Sequence, residues 1–334
     1  MVQTRCELKR KAVEALVRFE LKEKRSASAS TSASVEDPIL LPLPDFTKRL
    51  QALVNFRRDG GGDWPHGVSQ LTVQSLRTAI LSWANRYVIS DIDQLAPDRI
   101  RALIAEANGF CVQIEWEELR SQLAPNAAGR FGIVLGELLL YLAVNAYFFQ
   151  NPFWYMDGKK GPDDSDGDPS FSRKFNYLYE RFLEGDEAFA ILWKSQTQRL
   201  LNPTGRRPNA NPTIRTQHEK LRNAALPGFA DRFLTSEPLC WLLKDLTDTP
   251  ELITKRRTAL IDTFHKADKL MIACETFANG QPVLRGIEEL RGIYNGDSKC
   301  IALSNYGWHK HWNLYNGQRV LVVVRPGLVG GDAC

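Results

Sequence analysis

The stretch that decides how this chain folds is Phe131-Gly-Ile-Val-Leu-Gly-Glu-Leu-Leu-Leu-Tyr-Leu-Ala-Val-Asn-Ala-Tyr-Phe-Phe149. It is nearly all apolar and about as long as the ~20 residues needed to cross a bilayer. Two residues argue against lipid. Glu137 and Asn145 lie inside the run, and a central carboxylate in hydrocarbon costs several kcal/mol. The segment is therefore predicted to be a helix buried on all sides in a protein core. Gly132 and Gly136 lie one turn apart, which suits close packing against a neighbour.

Working outward, the chain reads as a series of helices. A helix is expected from about Thr72 to Val88. The next has Pro97 in its first turn, apolar Ile100, Leu103, Ile104 and Ala107, and Gly109 as its stop. Ser170 or Ser172 opens a helix with Phe171, Phe175, Leu178, Tyr179, Phe182 and Leu183 on one face, expected to be buried as a continuous stripe. Gly185-Asp186 breaks the chain and recaps it into a helix through Phe189, Leu192, Trp193 and Leu200. Residues 202–212 are too rich in Pro, Gly and Asn for regular structure. Helices resume over Glu219–Ala225 and Ala230–Asp245, and the longest follows Pro250. At the C-terminus, Ile301–Leu303, Trp308–Tyr315 and Arg319–Val324 read as short strands, with a hairpin turn at Asn316-Gly317. The expected fold is mainly α, a multi-helix globular domain with a small C-terminal β-hairpin element at about 299–325.

The N-terminus is different in kind. Residues 1–25 hold eight Lys/Arg and four Glu, a difference that equals the +4 net charge of the whole 334-residue chain. The body from residue 26 on is thus formally neutral and has no global field to attract nucleic acid. Ser26–Ser34 alternates Ser, Ala and Thr, a linker with nothing to bury, so the organisation is a basic arm (1–25), a linker (26–37) and one helical domain (38–334). Asp45 is placed to cap a helix through Phe46, Leu50 and Val54, ending at Gly60-Gly61-Gly62. Within the arm, Lys9, Arg10 and Lys11, then Lys22, Lys24 and Arg25, have the spacing of a bipartite nuclear import signal. The bland alternative is a solvated helix face with Glu7–Lys11 and Glu14–Arg18 pairs.

Familiar chemistry is incomplete wherever it begins. Asp164, Asp166 and Asp168 alternate like the start of a calcium loop, but Pro169 stands at the required glycine and Phe175 at the required glutamate. The Asp163–Asp168 cluster also falls short of the aspartate-rich motif of terpene cyclases, because Gly167 replaces its last aspartate and no second magnesium motif follows. It reads as a solvated loop. His309 and His311 with Cys300 or Cys334 lack the paired short spacings of zinc sites. The six cysteines are scattered and read as reduced thiols of a soluble intracellular protein. No nucleophile elbow or phosphate loop is found. The expectation is therefore no enzyme, no catalytic residue, no metal and no cofactor. The competing reading is an all-α enzyme of secondary metabolism, with a pocket among Phe148, Phe149, Trp154 and Phe175. The body's one candidate binding surface is the arginine set Arg199, Arg206, Arg207 and Arg215 around Pro203, Gly205 and Pro208, with Trp193 upstream. Arginine beside aromatic residues suits a protein or nucleic-acid partner.

Several of these runs, taken together, resemble a known group. Leu138–Phe149, Asn151-Pro-Phe-Trp-Tyr155, Ser172–Asn176, Leu201-Asn-Pro-Thr-Gly-Arg-Arg-Pro-Asn209 and Leu226-Pro-Gly-Phe229 resemble ascomycete mating-type regulators of the class that lacks both an HMG box and an α-box. That class carries a His-Pro-Gly or Pro-Pro-Phe signature. Pro203, Gly205, Pro208 and Phe229 supply most of it, while Asn202 stands where a histidine is expected. The resemblance spans about residues 130–295. It implies a nuclear regulator of fertilisation and fruiting-body development that acts through protein partners, with no assigned chemistry.

Overall fold

The computed structural model describes residues 66–159, 167–202, 212–276, 283–295, 315–326 and 328–329, all within the compact unit Phe56–Cys334. The arm, the linker and the helix expected through Phe46–Val54 lie outside the described residues. So do Cys300, His309, His311 and Cys334.

The described chain is mainly helical, as expected. In order come α1 (His66–Tyr87), α2 (Pro97–Glu106), α3 (Trp116–Gln122), α4 (Pro125–Ala128), α5 (Phe131–Val144), a π-turn (Asn145–Phe149), α6 (Phe171–Gly185), α7 (Glu187–Leu201), α8 (Pro212–Thr235), a 3-10 turn (Leu239–Leu242) and α9 (Pro250–Thr276). β1 (Val283–Leu284) and β2 (Leu328–Val329) pair antiparallel.

Helix α5 is the hub. Twelve of its fourteen residues are buried, and the π-turn adds buried Phe148 and Phe149. Among the described residues it forms, with the π-turn, the one helix long and apolar enough to cross a membrane, and 72% of that window lies inside the protein. Its two glycines admit the chain that follows α1. A Cβ at Gly136 would stand 2.8 Å from Val88 Cγ2, and one at Gly132 would collide with Ile89 O. Gly132 N also donates to Ser90 O at 3.0 Å. Helices α1 and α9 pack most extensively; Phe233 of α8 stands edge-on to both Trp83 of α1 and Phe264 of α9, and Trp83 Nε1 donates to Arg256 O at 3.1 Å. Lys244 Nζ donates to the carbonyls of Asn85 and Arg86 at the end of α1, where helix carbonyls lack intrahelical partners.

Helix α2 follows its punctuation, with Pro97 in the first turn, Ile100, Leu103 and Ile104 buried, and Gly109 at φ +80° just past the end. Three expectations need correction. Glu219–Ala225 and the start of the next stretch are one helix, α8, which continues through Pro227. An interior proline costs about 3 kcal/mol, and burial of Leu226, Phe229, Ala230 and Phe233 on either side offsets it. The helix expected to continue to Asp245 stops at Thr235, and a 3-10 turn follows. On α6 the apolar stripe is not a continuous buried face, since Tyr179 alone is buried while Leu178 and Phe182 stay exposed.

The expected turn at Asn316-Gly317 is present, with Gly317 at φ +81°, but the extended segment after it has other described partners than a hairpin arm. Tyr294 N donates to Gln318 O, Val320 N to Gly292 O, Val112 N to Leu321 O and Val323 N to Phe110 O, at 2.7–2.9 Å. This segment therefore ties the end of the chain back to the loop after α2. The arm expected at 308–314 and the strand at 301–303 lie outside the described residues.

Candidate functional site

The runs that carry the resemblance are distant in sequence and converge in space. Asn151–Tyr155 leaves the π-turn and threads between two clusters. Trp154 stands edge-on to Phe148 and Phe229 at 5.5 and 5.1 Å. Phe153 turns the other way, into a second cluster with Phe175, Tyr179 and Trp193. Asn151 fixes this bend, accepting from Phe153 N at 2.9 Å and donating to Ser172 Oγ on α6 at 2.7 Å.

Tyr155 then enters a buried polar network. Its hydroxyl donates to Gln198 Oε1 at 3.0 Å and accepts from Asn202 Nδ2 at 2.9 Å. Gln198 Nε2 donates to Pro152 O at 2.6 Å. Asn202 Oδ1 accepts from Arg222 Nη1 at 2.5 Å, and Arg222 Nε pairs with Asp268 at 2.9 Å. The Arg222 guanidinium also lies 5.0 Å from the Tyr155 ring centroid. His218 Nδ1 meets Leu201 O at 2.9 Å, a contact in which Nδ1 carries the proton because a carbonyl only accepts. Burial pushes the Tyr155 hydroxyl up to about 12 and raises the Asp268 carboxyl, the latter opposed by Arg222. The network thus joins α7, α8, α9 and the 151–155 bend at the point where α7 ends.

A second buried pair lies one heptad further along α9. Lys194 Nζ stands 2.5 Å from Glu275 Oε2, and both side chains are buried. Burial raises the Glu275 carboxyl, with Lys194 opposing, and pushes the neighbouring Cys274 thiol up to about 12. No motif marks these residues in the sequence. The signal available was phase: Asp268 and Glu275 follow Phe264 and Met271 by four residues, on the inward face of α9, where a charge requires a partner.

The candidate binding residues fare differently from one another. Trp193 is a packing residue, stacked on Tyr179 and edge-on to Phe182. Arg199 is partly buried and donates from Nε to Thr276 O at 2.7 Å. Arg215 is exposed on α8. Pro203, Gly205, Arg206, Arg207 and Pro208 lie outside the described residues, and their flanks, Asn202 and α8, are held by the network above. Lys9, Arg10, Lys11, Lys22, Lys24 and Arg25 are likewise outside.

Asp163–Asp166 also falls outside. The described end of that cluster, Asp168, accepts from Ser170 N and Ser170 Oγ and pairs with Lys174 Nζ at 2.8 Å, which holds its carboxyl down to about 2. Its oxygens thus serve the start of α6. Among the described residues no group of three His, Cys, Asp or Glu is arranged to hold a metal ion. The four aromatics expected to share a pocket divide between two clusters: Phe148, Phe149 and Trp154 belong to the main core, and Phe175 to the second. No protein-family profile, curated protein sequence or solved structure matches the chain.

Proposed function

We propose that this protein is a nuclear regulatory protein of sexual development, acting through protein partners in mating-type regulation, fertilisation and fruiting-body formation. One observation carries the reading. The resemblance runs Asn151–Tyr155 and Leu226–Phe229 meet at Trp154 and Phe229, and Tyr155 and Asn202, from two of the runs, meet in the buried network at the end of α7. Buried ion pairs are poor sources of stability compared with apolar packing; their best-attested use is to fix one arrangement. Here the arrangement fixed is the end of α7 and the course of α8, which carries exposed Arg215. Such a platform suits presentation of arginines to a protein or nucleic-acid partner. The arm supports nuclear delivery, since it contains the chain's whole net positive charge in two clusters of import-signal spacing.

Deleting the gene in its source organism is the test. The expected phenotype is arrest at fertilisation or fruiting-body formation with normal vegetative growth. A deletion strain that completes sexual development overturns the reading, and so does a tagged protein that is excluded from nuclei throughout the sexual cycle.

A further inference from the structure

Helices α6 and α7 form a hairpin that takes no part in the main core. Among the described residues, no side chain of either helix belongs to the cluster built on α5 or packs against it. The hairpin has a satellite cluster of its own, Tyr179 and Ala190 with Phe175, Leu183 and Trp193. The body contributes Phe153 to that cluster, and Met156 packs against both.

What holds the hairpin to α9 is polar. Helix α7 buries four residues, and three of them, Lys194, Ser195 and Gln198, are polar. Lys194 reaches Glu275 in the last turn of α9, and Arg199 Nε donates to Thr276 O at that helix's end. Gln198 bridges the Tyr155 hydroxyl and the Pro152 carbonyl. Contacts of this kind replace hydrogen bonds that the same groups make to water when exposed, so their net contribution to docking is small beside apolar burial.

The seam is also incompletely satisfied. A lysine ammonium has three protons and a carboxylate about four acceptor sites. The contact between Lys194 Nζ and Glu275 Oε2 uses one of each, and Glu275 Oε1 has no hydrogen-bond partner among the described residues. Tyr179 stands beside the pair, its ring centroid 5.4 Å from Lys194 Nζ. Its buried hydroxyl has no partner among the described residues either, and burial, then the Glu275 carboxylate, raises it. A buried polar atom without a partner has lost its hydration uncompensated. These atoms regain water when the hairpin parts from α9, so opening at the seam relieves a cost that opening of the apolar core does not.

A hinge stands where parting requires one. Trp154 and Tyr155 are anchored in the main core, and α6 begins at Phe171. Between them Gly158 lies at φ +72°, a conformation that glycine adopts without strain. Hinged motion needs only a few such positions to absorb the change in backbone angles.

We propose that the α6–α7 hairpin is a hinged flap that parts from α9 as one unit along the seam of Lys194, Gln198 and Glu275, while the main core stays closed. Parting withdraws Phe153 from the satellite cluster, frees the end of α7 at Asn202 and opens the network of Tyr155, Arg222 and Asp268 to solvent. Elements that move are drawn from the low-stability end of a fold, and a motif attached mainly by polar contacts lies at that end. This inference does not depend on the developmental role.

Thiol labelling of the full chain under native conditions tests it, with alkylation followed peptide by peptide by mass spectrometry. Ser195→Cys places a thiol in the seam, at a fully buried position whose hydroxyl donates to Leu192 O within α7. Cys111, buried in the main core, is the reference in the same chain. The introduced thiol should react at least about a hundredfold faster than Cys111, because opening the flap takes less free energy than unfolding the whole. Ala190→Cys, buried in the satellite cluster on the same helix, should react at the same rate, since one event exposes both positions. Tyr179→Phe removes the unpartnered hydroxyl and should slow both about tenfold. Introduced thiols that react no faster than Cys111 overturn the proposal, because the hairpin then opens only with the whole fold. Rates that differ by more than about tenfold between the two positions mean fraying of α7 rather than a flap, and a rate that Tyr179→Phe leaves unmoved means that the seam is not what parts. Either result overturns it equally.

Discussion

Arg325 Nε donates to Glu137 Oε1 at 2.5 Å, joining residues 188 positions apart. The carboxylate is fully buried in α5 and the guanidinium is about a quarter exposed. This pairing accounts for the one charge in the most apolar helix: the C-terminal segment supplies its counter-ion. Removing one member of a buried pair leaves the other uncompensated, at about 3–5 kcal/mol. Arg325→Leu should therefore destabilise the protein by roughly 3 kcal/mol. Glu137→Leu with Arg325→Leu should recover most of the loss, and Glu137→Leu alone should stay soluble because the helix is already a core element. Denaturant melts of the three variants check this, and equal losses in the double variant and in Arg325→Leu would show that the pair itself contributes nothing.

Two glycines in helices should respond oppositely to alanine. Gly132→Ala places a methyl against the carbonyls of Ile89 and Ser90, the latter 3.1 Å away, and backbone cannot swing aside as a side chain can. A loss of about 1–3 kcal/mol is expected. At exposed Gly228 in α8 nothing lies within 4 Å of an added Cβ, so Gly228→Ala should gain about 0.5–1 kcal/mol from helix propensity. Urea midpoints for both variants give the signs directly.

The contrast between these positions shows what a reader of the sequence sees. Gly132 and Gly136 announce close packing, Pro97 and Gly109 bracket a helix, and Gly185-Asp186 marks a recap that Asp186 performs by accepting from Phe189 N at 3.0 Å. These are local events, and local chemistry decides them. Pro227 is also local, yet the tertiary burial around it decides the outcome. Periodicity reports that α6 has an apolar stripe but not how much of it a neighbour covers, so Leu178 and Phe182 read as core. Phase along α9 picks out Asp268 and Glu275, but their cations come from other helices, and no spacing in the chain pairs Arg222 with one or Lys194 with the other. Trp193 and Arg199 read as surface because a loop follows them, whereas their partners, Tyr179 and the Thr276 carbonyl, come from elsewhere in the sequence.

Acid should loosen the start of α6 only at the low end of the range, after the interior carboxyls have taken up their protons. The hydrogen bond from Lys174, then those from Ser170, hold the Asp168 carboxyl down to about 2. A carboxyl whose folded value is below its ordinary value contributes stability above the ordinary range, and loses it as pH falls toward the folded value. The window is therefore about pH 4 down to about pH 2. Asp268 and Glu275 act in the opposite direction, since burial raises them and their contribution diminishes as pH rises through the folded values. A side-chain carboxyl NMR titration should show Asp168 titrating last among the three, and an ordinary value for Asp168 would remove the capping role.

The two buried pairs on α9 should behave as units. Lys194→Met alone leaves the Glu275 carboxylate without its cation and should cost about 3–5 kcal/mol. Lys194→Met with Glu275→Leu should be close to neutral. Arg222→Met should cost a similar ~3–5 kcal/mol and should also release Asn202, to which Arg222 Nη1 donates. Proteolysis separates the two effects: the Arg222 variant should be cut faster between Asn202 and Pro212 than a Lys194 variant of equal stability. Equal cleavage would mean that the network does not govern that segment.

Location and binding should separate between the arm and the body. Every unit of net positive charge lies before Ser26, and a Ser/Ala linker follows it. Neutralising Lys9, Arg10, Lys22, Lys24 and Arg25 should therefore move a fluorescent fusion from nucleus to cytoplasm. The melting temperature should not change, because the Ser/Ala linker with nothing to bury follows these residues in the sequence. Arg206→Ala with Arg207→Ala should do the reverse, leaving location intact and weakening capture of partners. If the partner is nucleic acid, its affinity should fall with salt on a log–log slope of roughly 0.9 per phosphate engaged, and the loop variant should flatten that slope by about two. A protein partner held by the same arginines should show a shallower dependence, since screening acts on a few ion pairs without release of condensed counterions. An arm variant that remains nuclear removes the import role, and a loop variant that keeps every interaction reduces residues 203–211 to a connector between α7 and α8.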